Sequence, residues 1–199
     1  MPHPRSAATA KASTAMHLVV RFSDSFCGGV DTIREHMLVI EQSGAVWFAK
    51  MGRPLASYRI DLLSDQMRRG IPTFLFLVQK AGRDYVWAQG TLCAISRSLP
   101  AREHALTPPY YRDRKVNQAA SIWFKLSKIS RPRASQIKML NVASSRNPIS
   151  ESLARSMAAM FVVQVGGGNA RQCSPSRRKT PRLSLEEAVL DVFEEDDSL

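Results

Sequence analysis

At 199 residues the chain has room for one ordinary domain plus tails. Its hydrophobic share of 44% and charged share of 23% match globular proteins, and no apolar run approaches the roughly 20 residues of a membrane span, so no membrane partner is expected. The formal charge of +11 favours a polyanionic partner without naming it.

Residues 1–16 read as a disordered leader, in which Arg5 and Lys11 alone carry charge and no apolar h-region supports a secretory signal. Cys27, Cys93 and Cys173 lie far apart, with neither a zinc spacing nor the even count of a disulfide framework. Both features suggest a reduced, cytoplasmic protein. Residues 17–22 (HLVVRF) are rich in β-formers and end in the polar turn Ser23-Asp24-Ser25. Asp31 is placed to cap a helix whose Ile33, Met37 and Ile40 share one face and which Gly44 ends. Residues 45–50 are a second strand, with Val46, Phe48 and Lys50 on one side and Ala45, Trp47 and Ala49 on the other. A second helix is predicted over 59–69, burying Ile60, Leu63 and Met67, and stopped by Gly70 and Pro72.

Residues 73–78 are almost continuously apolar, 81–84 form a turn and 85–95 return, which makes a β-hairpin; Gly90 within it marks a bulge or bend. A proline-containing loop leads to Tyr110 and Tyr111 and a basic stretch. Residues 121–130 (SIWFKLSKIS) alternate as a half-buried strand. Residues 150–160 read as a helix on Leu153, Met157 and Met160, and 161–164 as a strand that closes the sheet. Five or six short strands with peripheral helices imply an α+β domain over 17–164, a small mixed β-barrel.

That core carries 21 basic and 10 acidic side chains, so the entire net charge sits on it and the flanks cancel. Residues 165–183 read as a flexible basic linker, whose Gly166-Gly167-Gly168 lacks the framing of a phosphate loop. Residues 184–199 read as an acidic amphipathic tail with Leu185, Val189 and Phe193 on one face.

The run of a first strand ending in Phe22-Ser23-Asp24, a helix containing Thr32-Ile33-Arg34-Glu35-His36 and the strand Val46-Trp47-Phe48-Ala49-Lys50 resembles the EVE branch of the PUA-like superfamily. Three later segments agree with that resemblance: Val86-Trp87-Ala88-Gln89-Gly90-Thr91, Pro109-Tyr110-Tyr111-Arg112 and Ser121-Ile122-Trp123-Phe124-Lys125-Leu126. It covers about residues 17–164. It implies a small barrel with a pocket that takes up a base turned out of a nucleic-acid strand, often a modified one. Such domains are commonly fused to nucleases of modification-dependent restriction systems, yet this sequence shows neither a PD…ExK pattern nor an HNH cluster. The resemblance therefore implies a reader in a defence or modification-sensing system, working with a separate effector protein.

The residues themselves fit that chemistry. A flipped base loses a few kcal/mol of stacking, which aromatic faces worth about 1–3 kcal/mol each can restore. The candidates for the base pocket are Ser23, Asp24, Ser25, Trp47, Phe48, Lys50, Trp87, Tyr110 and Trp123, although a tryptophan in a small barrel is more often core. Since Phe48 and Trp47 point to opposite faces, one of the two at most meets the ligand directly. Phosphate-binding candidates are Arg53, Tyr111, Arg112, Arg114, Lys115, Lys125 and Lys128, on DNA or on RNA.

No cofactor or metal is expected, because His3, His17, His36 and His104 show no ligand spacing. A nucleophilic pairing of Cys27 or Cys93 with His36 lacks a supporting motif. The chain is expected not to be an enzyme. One alternative follows from related PUA-like barrels that hydrolyse acylated nucleosides with a lysine and a carboxylate, an arrangement Lys50 and Asp24 could mimic. Another is an interaction or regulatory protein whose acidic tail binds a partner or covers the basic face.

Overall fold

The computed structural model describes residues 15–166. The expected acidic tail, Cys173 and all but the innermost two residues of the expected leader and of the expected linker lie outside the described residues. Seven strands form one sheet: β1 (Met16–Arg21), β2 (Val46–Met51), β3 (Phe74–Ala81), β4 (Asp84–Ser96), β5 (Ala120–Ser130), β6 (Leu140–Val142) and β7 (Met160–Val165). Their order across the sheet is β2-β5-β4-β3-β1-β7-β6. The helices are α1 (Thr32–Ser43), α2 (Ser57–Arg68), α3 (Tyr110–Asp113), α4 (Val116–Ala119), α5 (Ala134–Lys138) and α6 (Ile149–Arg155). Among the described residues none is long and apolar enough to cross a membrane.

β1 and β3 pair in parallel and the remaining ladders are antiparallel. A parallel pair needs a crossover, and this one carries α1, β2 and α2. The sheet is open, with β2 and β6 at its edges, so the expected closed barrel of five or six strands is corrected to an open sheet of seven within a mixed α+β domain. The seventh strand, β6, has only three residues, too few to show an alternating pattern.

Alternation along each strand sorts the core. Leu18, Val20, Leu75, Leu77, Phe48 and Phe124 pack on one face beneath Val39 of α1 and Leu63 of α2. Val19, Phe76, Val78 and Val163 pack on the other with Ile149 and Leu153 of α6. A third cluster, Trp47, Ala49 and Trp123, lies on the side of β2 and β5 that Tyr110, Tyr111 and Val116 cover. Burying a leucine such as Leu63 contributes about 1.5–3 kcal/mol, so two-sided coverage of β2 and β5 is a large part of what holds the edge in place.

Local signals explain the element ends. Asp31 caps α1 by accepting from the Arg34 N–H at 2.9 Å, and Gly44 closes it in the left-handed region at φ 76°. Gln66 of α2 ties three elements together: its Oε1 accepts from the Met16 N–H, and its amide nitrogen donates to the Met16 carbonyl and to Thr73 Oγ1. Gly90 is required by close approach, because a Cβ there would lie 2.8 Å from Leu126 Cδ1; the ladder irregularities expected near it fall at Thr91–Ala94.

The helix expected over 150–160 is shorter. α6 stops at Arg155, Met157 is 96% exposed, and Met160 opens β7. Arg21 accounts for the stop: its Nη2 donates to the carbonyl of Leu153 and, at 2.8 Å, to that of Ser156, which satisfies the last carbonyls and places a cation at the helix C-terminus.

Candidate functional site

Where β1 ends, the chain leaves the sheet between α1 and β2 and exposes a cavity of about 330 Å³, within the roughly 300–1,000 Å³ of small-molecule sites. Five segments line it: residues 20–23 at the end of β1, Thr32 in the first turn of α1, residues 48–51 of β2, Tyr110, Tyr111 and Val116 of α3 and α4, and Ala159 before β7. Its wall is largely apolar, with Ser23, Thr32 and Lys50 among the polar groups on it.

The back wall is set by a buried hydrogen-bond chain. His36, fully buried in α1, sits one helical turn beyond Thr32, and its Nδ1 lies 2.6 Å from the Thr32 carbonyl. A carbonyl can only accept, so Nδ1 carries the proton and Nε2 is left as acceptor for the Tyr111 hydroxyl at 2.9 Å. The Tyr111 oxygen in turn accepts from the Ala49 N–H at 3.0 Å. The chain thus pins α1, α3 and β2 to one another. Burial holds the His36 ring neutral by lowering its pKa from 6.5 to about 4, although the Thr32 carbonyl acts in the opposite direction.

Three buried or half-buried polar side chains on the wall have hydrogen-bonding capacity to spare: Arg21, whose Nε has no partner among the described residues, Thr32 and Lys50. Thr32 is 3% exposed and its Oγ1 has no hydrogen-bond partner among the described residues. Such a group costs about 1–3 kcal/mol when left unsatisfied. Lys50 is 6% exposed, and its Nζ donates to the carbonyls of Met51 (2.8 Å) and Arg53 (3.0 Å), leaving one of its three donors over. Burial pushes its pKa below the ordinary lysine value.

Of the residues singled out in the sequence for a base pocket, Ser23, Phe48, Lys50 and Tyr110 line this cavity. Tyr111, singled out for phosphate, lines it too. Trp47 and Trp123 do not; both are buried in the cluster behind Ala49, where Trp47 Nε1 donates to Glu103 Oε2 at 2.6 Å. Trp87 and Asp24 line a separate cavity of about 530 Å³ between α1 and β4. Asp24 also accepts from the Thr32 N–H at 2.9 Å, and the hydroxyl of Ser25 lies 2.6 Å from that of Ser23.

The basic candidates divide as well. Lys125 is engaged by Glu103 at 2.7 Å and sits 5.8 Å from the centre of the Trp47 ring. Those two donors, Lys125 first and Trp47 second, hold the Glu103 carboxyl below its usual range. Arg114 lies against Gly28, so close that a Cβ on Gly28 would overlap its guanidinium, though the residue is exposed. Arg112, Lys115 and Lys128 are exposed, while Arg53 borders a groove beside the cavity. Among the described residues no three His, Cys, Asp or Glu side chains are grouped to hold a metal ion.

Thr32, Val116 and Ala159 carried no sequence signal of their own. Only the i, i+4 spacing of Thr32 and His36, which puts both on one helix face, could have pointed there.

A mixed α+β domain built on one open sheet, with a largely apolar pocket of about 330 Å³ at the end of its first strand, is the class that these features define. A family model described as Pua-like matches residues 18–158, and the chain belongs to that family. No curated protein and no solved structure matches it.

Proposed function

We propose that this PUA-like domain is a non-catalytic reader that takes an unpaired or flipped nucleobase, modified on its edge, into the cavity at the end of β1. PUA-like domains as a family are nucleic-acid-binding folds, and the core bears an excess of basic side chains. The observation that carries the reading is the Thr32 hydroxyl: a buried hydrogen-bonding group without a partner among the described residues, on the wall of a largely apolar pocket whose other polar side chains include Arg21, Ser23 and Lys50. A base supplies what that wall lacks, a flat ring for the aromatic side chains and a polar edge for Thr32 and Lys50. The apolar excess favours a base that carries a methyl or similar substituent.

The hydrolytic alternative has less support, since Lys50 is on the wall but no carboxylate of the described residues is, Asp24 lining the neighbouring cavity. The acidic tail of the interaction alternative lies outside the described residues.

The reading is tested by titrating oligonucleotides with and without methylated bases against the wild type and Thr32→Val. The valine is isosteric and removes an unsatisfied hydroxyl, so the fold keeps or gains stability while affinity for the preferred base falls by about 1 kcal/mol, roughly fivefold. Equal binding of every oligonucleotide by both proteins would overturn it.

A further inference from the structure

Beside the pocket runs a groove of about 810 Å³, and the two share Lys50, Met51 and Ala159 as lining. Its charged lining residues are Lys50, Arg53, Arg59 and Arg97, with no acid among them. Tyr58, also in the groove, is 64% exposed, unlike the buried rings of Tyr110 and Tyr111. Resting on the pocket reading, we infer that this groove carries the sugar-phosphate backbone of a single strand whose captured base fills the pocket, with Tyr58 stacking on a neighbouring base.

Three observations support this occupant. The cations are pre-positioned: Arg97 Nη2 donates to Ser57 Oγ at 2.8 Å, and Arg59 Nε donates to the Tyr58 hydroxyl at 2.8 Å with its guanidinium 5.6 Å from the ring centre. An exposed aromatic ring among cations is the combination that single strands use, since every base has a face to stack and every linkage a charge to neutralise. The groove is also continuous with the pocket mouth, where a nucleotide in the pocket must pass its flanking phosphates. On β5, Lys125 fits less well, because it is paired with Glu103.

A strand held this way has unpaired flanks, so the ligand class is single-stranded nucleic acid rather than duplex. The charge chemistry is the same for DNA and RNA, and paired arms of equal sequence separate them: a preference for RNA points to 2′-hydroxyl contacts in the groove, and equal binding to phosphate and base alone. Either result agrees with the inference.

The test uses the full chain and an eight-nucleotide single strand carrying the base preferred by the wild type, measured at several salt concentrations, with its duplex for comparison. Arg53→Ala/Arg59→Ala/Arg97→Ala is expected to flatten the dependence of log affinity on log salt by about 0.7 for each phosphate no longer neutralised, or about 2 in all. Tyr58→Ala is expected to weaken binding about fivefold or more at constant slope. Lys80→Ala/Arg83→Ala, exposed at the β3–β4 turn and outside the linings of both pocket and groove, serves as the control and should leave the slope in place. If the groove variants bind like the wild type while Thr32→Val still weakens binding, the groove is refuted and the pocket stands. If duplex binds as tightly as single strand, the single-strand assignment fails. If the wild type binds no oligonucleotide at low salt, the pocket reading and the groove fall together.

Discussion

Acid should destabilise this domain well before its carboxylates protonate, and two buried histidines are the reason. His36 and His17 both have pKa values lowered from 6.5 to about 4 by burial. Between those values the unfolded chain binds a proton at each site and the native state does not, so stability rises with pH across that window. It is fully present above about 6.5 and lost progressively as pH falls toward 4. From pH 7 to pH 5 each histidine accounts for about 2 kcal/mol, so the pair accounts for about 4 kcal/mol. Glu103, whose pKa lies below 4.5, contributes chiefly below this interval, because its stabilisation is present above 4.5 and lost as pH falls through its native value. Urea unfolding at pH 7 and pH 5 reads the difference directly. His36→Phe and His17→Phe should each lose about half of the pH dependence, whatever they cost at pH 7. The reasoning is refuted if the wild type loses less than about 1 kcal/mol over the interval, or if both variants keep the full loss.

Other substitutions probe the frame of the pocket. Tyr111→Phe strips the acceptor from the buried Ala49 N–H and the donor from His36 Nε2; unfolding free energy should drop by about 2–4 kcal/mol in urea titration. Gly90→Ala drives a methyl into the tip of Leu126, which is fully buried, for a loss of about 1–3 kcal/mol and a fall in Tm of several degrees by calorimetry. Glu103→Gln breaks the ion pair with Lys125 but keeps an acceptor for Trp47, and since both partners are part-exposed the change should stay within about 1 kcal/mol and shrink as salt is raised.

The cap at Asp31, the stop at Gly44, the β3–β4 hairpin and the opposite facing of Phe48 and Trp47 could all be read from the sequence, because each depends on neighbours a few residues away. The same alternation could not say which face of β2 has the cavity. Both faces are buried, and the cover over the Trp47 side comes from α3 and α4, two four-residue helices in a stretch that reads as a basic loop. Their stacking faces made the tryptophans candidate base platforms, but Trp47 and Trp123 fill the space under that cover. Thr32 was hidden for another reason: a threonine in a first helical turn is ordinary until the hydroxyl is found without a partner. Closure of the sheet misled because Phe161–Gln164 does pair with β1, but β6 then pairs with β7 and carries the edge outward.

The place of β1 in the sheet bears on how the domain is made. β1, the first described strand, takes β3 on one side and, on the other, β7, the last described strand, with Met16 opposite Gln164. Until nearly the whole domain has been synthesised, one edge of this strand offers free N–H and C=O groups to any extended chain nearby. Pairings this distant in sequence also slow the folding step itself. A nascent chain that stalls before β7 should therefore be a good client for chaperones that bind extended apolar segments, and the pocket, which needs both ends of the domain, forms only when synthesis of the fold is complete.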